Sequence, residues 1–161
     1  MRRKRRNRSP SPPARRTVPL NPSAIEQRGL GLVKELTRVV RGADPPREKL
    51  GEALEILFAA FSESEEPFRQ LLIEGWVRAR QQKAYRLAMA WLREQMRLSV
   101  EEILAEGIAR GTFRHDLDPQ AYSAVCLGAA EGCLLDSRSQ GGAVPPDQLV
   151  TTLLGLAARN S

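Results

Sequence analysis

The residues able to do nucleophilic, acid–base or metal chemistry are few: one histidine, His115, and two cysteines, Cys126 and Cys133, in 161 residues. His115 sits between Arg114 and Asp116 in a turn, with no partner at a spacing that suits a general base or a metal ligand, so it is expected to be an exposed turn residue. Cys126 and Cys133 fall seven residues apart on one helical pattern, ~10.5 Å along the axis, which is beyond disulfide reach. Buried free thiols are the expected state, with a redox pair across a dimer axis as the minor alternative. Glu65-Glu66 and Glu101-Glu102 are adjacent rather than facing, which makes them solvated faces and not acid–base dyads. Gly107 and Gly111 read as a helix end, and no phosphate loop or nucleophile motif occurs. A zinc site, a disulfide-rich scaffold and histidine-based catalysis therefore lack their raw material. No enzyme activity, metal or cofactor is expected.

The composition, 42% hydrophobic and 27% charged, suits one soluble domain with a real core. No uncharged apolar run approaches the ~18 residues of a membrane span. The net charge of +6 is unevenly placed: residues 1–20 hold eight of the 25 bases and no acid, leaving 17 bases against 19 acids in the rest. This tail, MRRKRRNRSPSPPARRTVPL, lacks apolar periodicity and carries four prolines and a block of like charges, so disorder is expected. Its basic start runs into Ser-Pro-Ser-Pro-Pro rather than an apolar stretch, which argues against a secretion signal and for a cytoplasmic protein. Arg2, Arg3, Lys4, Arg5 and Arg6 would make an unselective electrostatic arm for nucleic acid. A plain solvated extension is the slightly preferred reading.

From Asn21 to Ser161 the pattern is helical throughout. Asn21-Pro22, Asp44-Pro45 and Asp118-Pro119 each offer a cap followed by proline at the first helical position. Ser64 is the candidate cap of a third helix, and Pro145-Pro146-Asp147 opens a sixth. Ile25, Leu32, Val33, Leu36 and Val40 share one stripe of the first helix, which Gly42 ends. Leu50, Ala53, Leu54, Leu57, Phe58 and Phe61 keep the spacing of a buried face in the second. Phe68, Leu71, Leu72, Trp76 and Ala79 follow on the third. The longest helix, about Lys83 to Arg110, keeps Tyr85, Met89, Leu92, Met96, Val100, Ile103 and Gly107 on one face, with Gly111 as its cap. No segment alternates with period two, so the fold class is all-α with six helices.

The fifth helix carries ten uncharged residues from Ala121 to Ala130, so it is apolar on every side. Ala121, Val125, Gly128, Gly132 and Leu135 form a stripe of mostly small residues that lets another helix come close. A six-helix domain has too few other helices to cover such an element at its edge. The surplus surface, with Leu149, Leu153 and Leu156 of the sixth helix beside it, is expected to be buried against a second copy of the chain. A central core helix of a monomer is the alternative.

The stretch ILAEGIARGTFRHDLDPQAYSAVCLGAAEGCLL, Ile103 to Leu135, resembles the C-terminal domain of tetracycline-repressor (TetR) family regulators. The shared features are a glycine-ended long helix, a Phe-Arg-x-Asp-Leu-Asp-Pro turn and an apolar helix with Gly-x-x-x-Gly. The six-helix layout over residues 21–161 fits the same resemblance. It implies that the last two helices pair with their twofold mates in a four-helix bundle. It further implies that the preceding helices enclose a pocket for a small, mostly apolar effector, as yet of unknown identity. Phe58, Phe61, Trp76, Tyr85, Met89, Gln95 and Met96 lie where such a pocket would be, although residues at helical spacing are more often plain core. The tail cannot build the helix-turn-helix that family members place before this domain. A sensor and homodimerisation core without its DNA reader is therefore expected, operator binding is carried over to no residue, and no membrane partner is implied. The alternative from a different class is a nucleic-acid-binding helical protein acting through the tail.

Overall fold

The computed structural model describes residues 21–62, 66–136 and 144–158, and of Glu66, Leu135 and Asp136 the backbone alone. Six helices follow one another: α1 (Pro22–Arg41), α2 (Pro46–Phe61), α3 (Glu66–Ala79), α4 (Lys83–Ala109), α5 (Pro119–Asp136) and α6 (Pro146–Ala157). Among the described residues there is no strand beyond an isolated bridge between Phe113 and Ala158, and no helix is long and apolar enough to cross a membrane.

The helix starts follow from local chemistry. Asn21 caps α1, its Oδ1 accepting from the Ala24 amide at 2.7 Å. Asp118 caps α5, accepting from Gln120 N at 2.9 Å and Ala121 N at 3.1 Å. Each bond satisfies amides that the first turn leaves open. The start expected at Asp44-Pro45 is displaced by one residue. Pro45 itself occupies the N-cap with φ −57° and ψ 146°, without a side-chain cap bond, and Pro46 takes the first turn. A residue before proline is pushed out of the α region, so a Pro-Pro pair begins its helix at the second ring. Pro145-Pro146 does the same at α6. The candidate cap Ser64 lies outside the described residues.

The long α4 is the hub, packing against α1, α2, α3 and α5, while α6 lies mainly on α2. Its inner face, Tyr85, Met89, Leu92, Met96, Val100, Ile103 and Leu104, is buried, as is the whole expected stripe of α2 from Leu50 to Phe61. Burial of each such side chain contributes about 1.5–3 kcal/mol. On α1 the buried stripe is Ile25, Gly29, Leu32, Leu36 and Val39. Val33 and Val40 are half-buried at its edge.

A charged side chain is built into this core. Lys49, 4% exposed, donates from Nζ to the Val40 carbonyl at 3.0 Å and to Glu106 Oε2 at 2.9 Å. It thus joins the end of α1, the start of α2 and the end of α4. The Lys49 hydrogen bond is the main cause that holds the Glu106 carboxyl below the usual carboxylate range. Arg110 completes the cluster, 2.9 Å from Glu106 Oε1.

The α4–α5 corner depends on two glycines. Gly111 takes φ 71°, a left-handed backbone that suits glycine. The chain then folds back so that the amides of Thr112 and Phe113 donate to the Gly107 carbonyl at 2.8 and 3.1 Å. This lays the Phe113 ring on the α4 backbone at Gly107, where a Cβ would stand far inside contact distance of the ring. Overpacking of this kind costs about 1–3 kcal/mol, which outweighs the roughly 1 kcal/mol an alanine gains in helix propensity. Gly107→Ala is therefore expected to lower the urea midpoint, and adding Phe113→Leu to recover part of the loss. A single variant as stable as the parent would show that the ring does not pack on this backbone.

Candidate functional site

The α5 helix buries one side and leaves the other bare. Tyr122, Ser123, Cys126, Leu127, Ala130 and Leu134 are buried, toward the α4 and α2 helices on which α5 packs. Ala121, Ala124, Val125 and Gly128 are exposed and Gly132 is half-buried. Val125 is 57% exposed, and a Cβ built at Gly128 or Gly132 would meet nothing within 4 Å. On α6, Leu156 is 56% exposed and Leu149 half-buried.

Leu153 departs from the expected face. It is buried with Val150 and Ala157 on the side of α6 that packs on α2. Residues 149 and 156 are two turns apart on one stripe, whereas 153 falls beside 150 and 157. Exposed Thr152 stands on the outward side in its place. The side chain of Leu135 lies outside the description. The two helices are fastened together by Tyr122, whose hydroxyl donates to the Leu153 carbonyl.

Of the seven residues expected to line an effector pocket, four converge. Phe61, Trp76, Met89 and Met96 surround a small cavity with Leu72, Leu92, Arg93 and Glu131. Its volume is about 10 Å³, room for one water-sized probe and no organic molecule. Arg93 and Glu131 close its edge with a salt bridge of 2.9 Å between α4 and α5. Phe58 lies elsewhere, in the lining of a groove between α2 and α6. Tyr85 is buried with the Arg78 guanidinium 5.6 Å from its ring centre, and Gln95 is half-buried outside the cavity lining. Side-chain type identified an aromatic and methionine cluster, but only packing decides how much space such a cluster encloses.

Two larger spaces were not legible in the periodicity. One, of about 620 Å³, lies between α1, α2 and α3; the other, of about 510 Å³, lies between α2 and α6. Gly31, Ala59 and Ala60 make room in the first, and runs of small residues on facing helices are the only sequence signal it leaves. His115 is exposed in its turn. Arg2, Arg3, Lys4, Arg5 and Arg6 lie outside the described residues, as does the whole basic tail.

Comparison with known proteins places this architecture. Residues 46–134 match the sequence model of the family described as tetracyclin repressor-like, C-terminal domain. Among solved structures, the chain is similar to a transcriptional regulator of the TetR/AcrR family from Thermobifida fusca YX-ER1. The identity is 17% and the TM-score 0.56, over 84% of this chain and 69% of the other, a likeness of fold. No curated protein matches the chain.

Burial pushes the Cys126 thiol up to about 12 and raises the Tyr122 hydroxyl as well. Both groups are neutral when protonated, and the unfolded thiol ionises near 8.5. Their contribution is therefore fully present below about pH 8.5 and is lost as pH rises toward 12, because the unfolded chain releases its protons first. Urea stability is expected to fall over that window, and Cys126→Ala to flatten the fall. Equal slopes for parent and variant would mean that the thiol is not desolvated.

Proposed function

We propose, from the premise that the chain belongs to the tetracyclin repressor-like, C-terminal domain family, that it is the effector-sensing and homodimerising part of a transcriptional regulator. The observation that carries this reading is the bare side of α5. Ala121, Val125, Gly128 and Gly132 present a nearly smooth apolar strip, continued on α6 by Leu149 and Leu156. Small side chains let two helix axes approach to about 8–10 Å. A second copy related by a twofold axis would cover each strip with its counterpart and make a four-helix bundle of two α5 and two α6. Leu153 supports the assembly from within, by seating α6 on α2.

Effector binding is the second half of the reading. Phe61, Trp76, Met89 and Met96 give a deformable apolar lining, and the Arg93–Glu131 bridge crosses from α4 to the dimerising helix α5. A ligand that enters must spread these side chains, because the closed cavity holds about 10 Å³. Such spreading would move α4 against α5 and so reach the dimer contact. The reading of residues 1–20 as a nucleic-acid arm rests on charge alone and is not carried forward.

The interface is tested by Gly128→Leu and Gly132→Leu in sedimentation velocity. A Cβ built at either position meets nothing within 4 Å, and each substitution gains helix propensity, so the variants are expected to keep the monomer fold. The parent is expected to remain dimeric at 1 M salt, since apolar burial is not screened, and the variants to sediment as folded monomers. Dimers unaltered in both variants would remove this interface. The pocket is tested in Trp91→Phe, which leaves Trp76 as the only tryptophan. Saturable energy transfer from Trp76 to the apolar dye N-phenyl-1-naphthylamine, at one dye per chain, is expected. Transfer that never saturates would count against a pocket at Trp76.

A further inference from the structure

The two large grooves lie on either side of one ridge of α2 and share Glu55 and Ala59. The groove toward α1 and α3 has Leu32, Ile56, Ala60 and Phe68 in its lining and Glu35 on its α1 wall. The groove toward α6 has Phe58, Val150 and Leu154 in its lining and Asp147 on its α6 wall. Glu35, Glu55 and Asp147 take part in no salt bridge among the described residues. Among the described residues, Arg28 is the one cation on either lining. Apolar surface framed by unpaired carboxylates suits an occupant that is basic, partly apolar and long enough to cross the ridge.

The chain carries such a segment in the sequence immediately before α1. Residues 1–20 contain eight bases and no acid, with prolines between a first basic block, Arg2 to Arg8, and a second, Arg15-Arg16. The segment ends at Asn21, the cap of α1. Glu35 lies 14 residues further along that helix, ~21 Å at 1.5 Å per residue. Arg16 and Arg15, five and six residues before Asn21, reach ~16–19 Å at the polyproline rise of 3.1 Å. The first block, 13 to 19 residues out, reaches ~40–60 Å by the same rise. Pro-rich chain in an extended conformation fits apolar grooves without a large ordering cost.

We infer that the basic segment of residues 1–20 docks on its own domain, lying across the α2 ridge with its guanidinium and ammonium groups on Glu35, Glu55 and Asp147. Single exposed ion pairs are weak, but tethering supplies the segment at a roughly millimolar effective concentration. The contact is electrostatic and opens with salt, and any polyanion competes for the same basic residues.

Lys4 is the only lysine in residues 1–20, which gives a direct test in the full chain. A water-soluble carbodiimide activates a carboxylate, and attack by the Lys4 amine forms an amide as the reagent leaves as its urea. Mass spectrometry of a mixture of 14N and 15N chains separates links within a chain from links between chains. At 10 mM salt, within-chain links from Lys4 to Glu55, Asp147 or Glu35 are expected. Their yield should fall at least about fivefold at 1 M salt, where the Debye length has shrunk from about 30 Å to about 3 Å. Links spread evenly over Glu26, Glu48, Glu102 and Asp116, links only between chains, or no Lys4 links would each overturn the proposal. Trypsin cleavage after Arg15 gives a second readout at 10 mM salt. It should be about fivefold faster in the E35Q/E55Q/D147N variant, and an equal rate would also overturn the proposal.

Discussion

The Phe113 ring rests on the backbone of α4 at Gly107, and the second half of the domain takes its direction from that contact. Gly111 turns the chain by a left-handed residue, and the amides of Thr112 and Phe113 close onto the Gly107 carbonyl. The corner is then continued by the bridge of Phe113 to Ala158 and by the Arg114 amide on the Ala157 carbonyl at 3.2 Å. The corner thus sets where α5 departs from α4, by the ring on Gly107, and meets the end of α6 through its backbone.

That placement produces the asymmetry on which the functional reading rests. A helix apolar all round has no preferred side of its own, so its surroundings decide which side is covered. Here α4 and α2 take the side with Tyr122, Cys126 and Leu127, and the small-residue side is left to solvent. The larger residues supply contact area inside the chain. The small ones leave a surface that costs little to desolvate and admits another helix at short range. Lys49 does a comparable job at the other end of the core, where one ammonium satisfies both the Val40 carbonyl in the last turn of α1 and the Glu106 carboxylate.

The candidate sites were legible to different degrees, for physical reasons. The bare face of α5 could be anticipated at Ala121, Val125, Gly128 and Gly132, because a run of ten uncharged residues exceeds what one domain can bury. Leu153 could not be assigned, since an apolar sixth helix offers two adjacent stripes and only contact with α2 selects one. The cluster of Phe61, Trp76, Met89 and Met96 was visible as chemistry, whereas its closure to about 10 Å³ depends on interdigitation that spacing does not encode. Glu35, Glu55 and Asp147 belong to three different helices and carry no shared pattern. Only the packing of α1 and α6 on α2 brings them to one ridge.

The sequence by itself determined the all-α class, the six helices, the caps at Asn21 and Asp118, and the inward faces of α2 and α4. All of these are local properties: hydrogen-bond satisfaction within a turn, backbone limits at proline and glycine, and a 3.6-residue period. The tertiary structure decided which helix lies against which, and hence that α4 is the hub, that α6 sits on α2, and that Lys49 is buried. It also decided where space remains, closing one cluster and opening grooves on both sides of α2. Those outcomes depend on contacts between residues far apart in the chain, where many pairings satisfy the same periodicity and only the sum of packing selects among them.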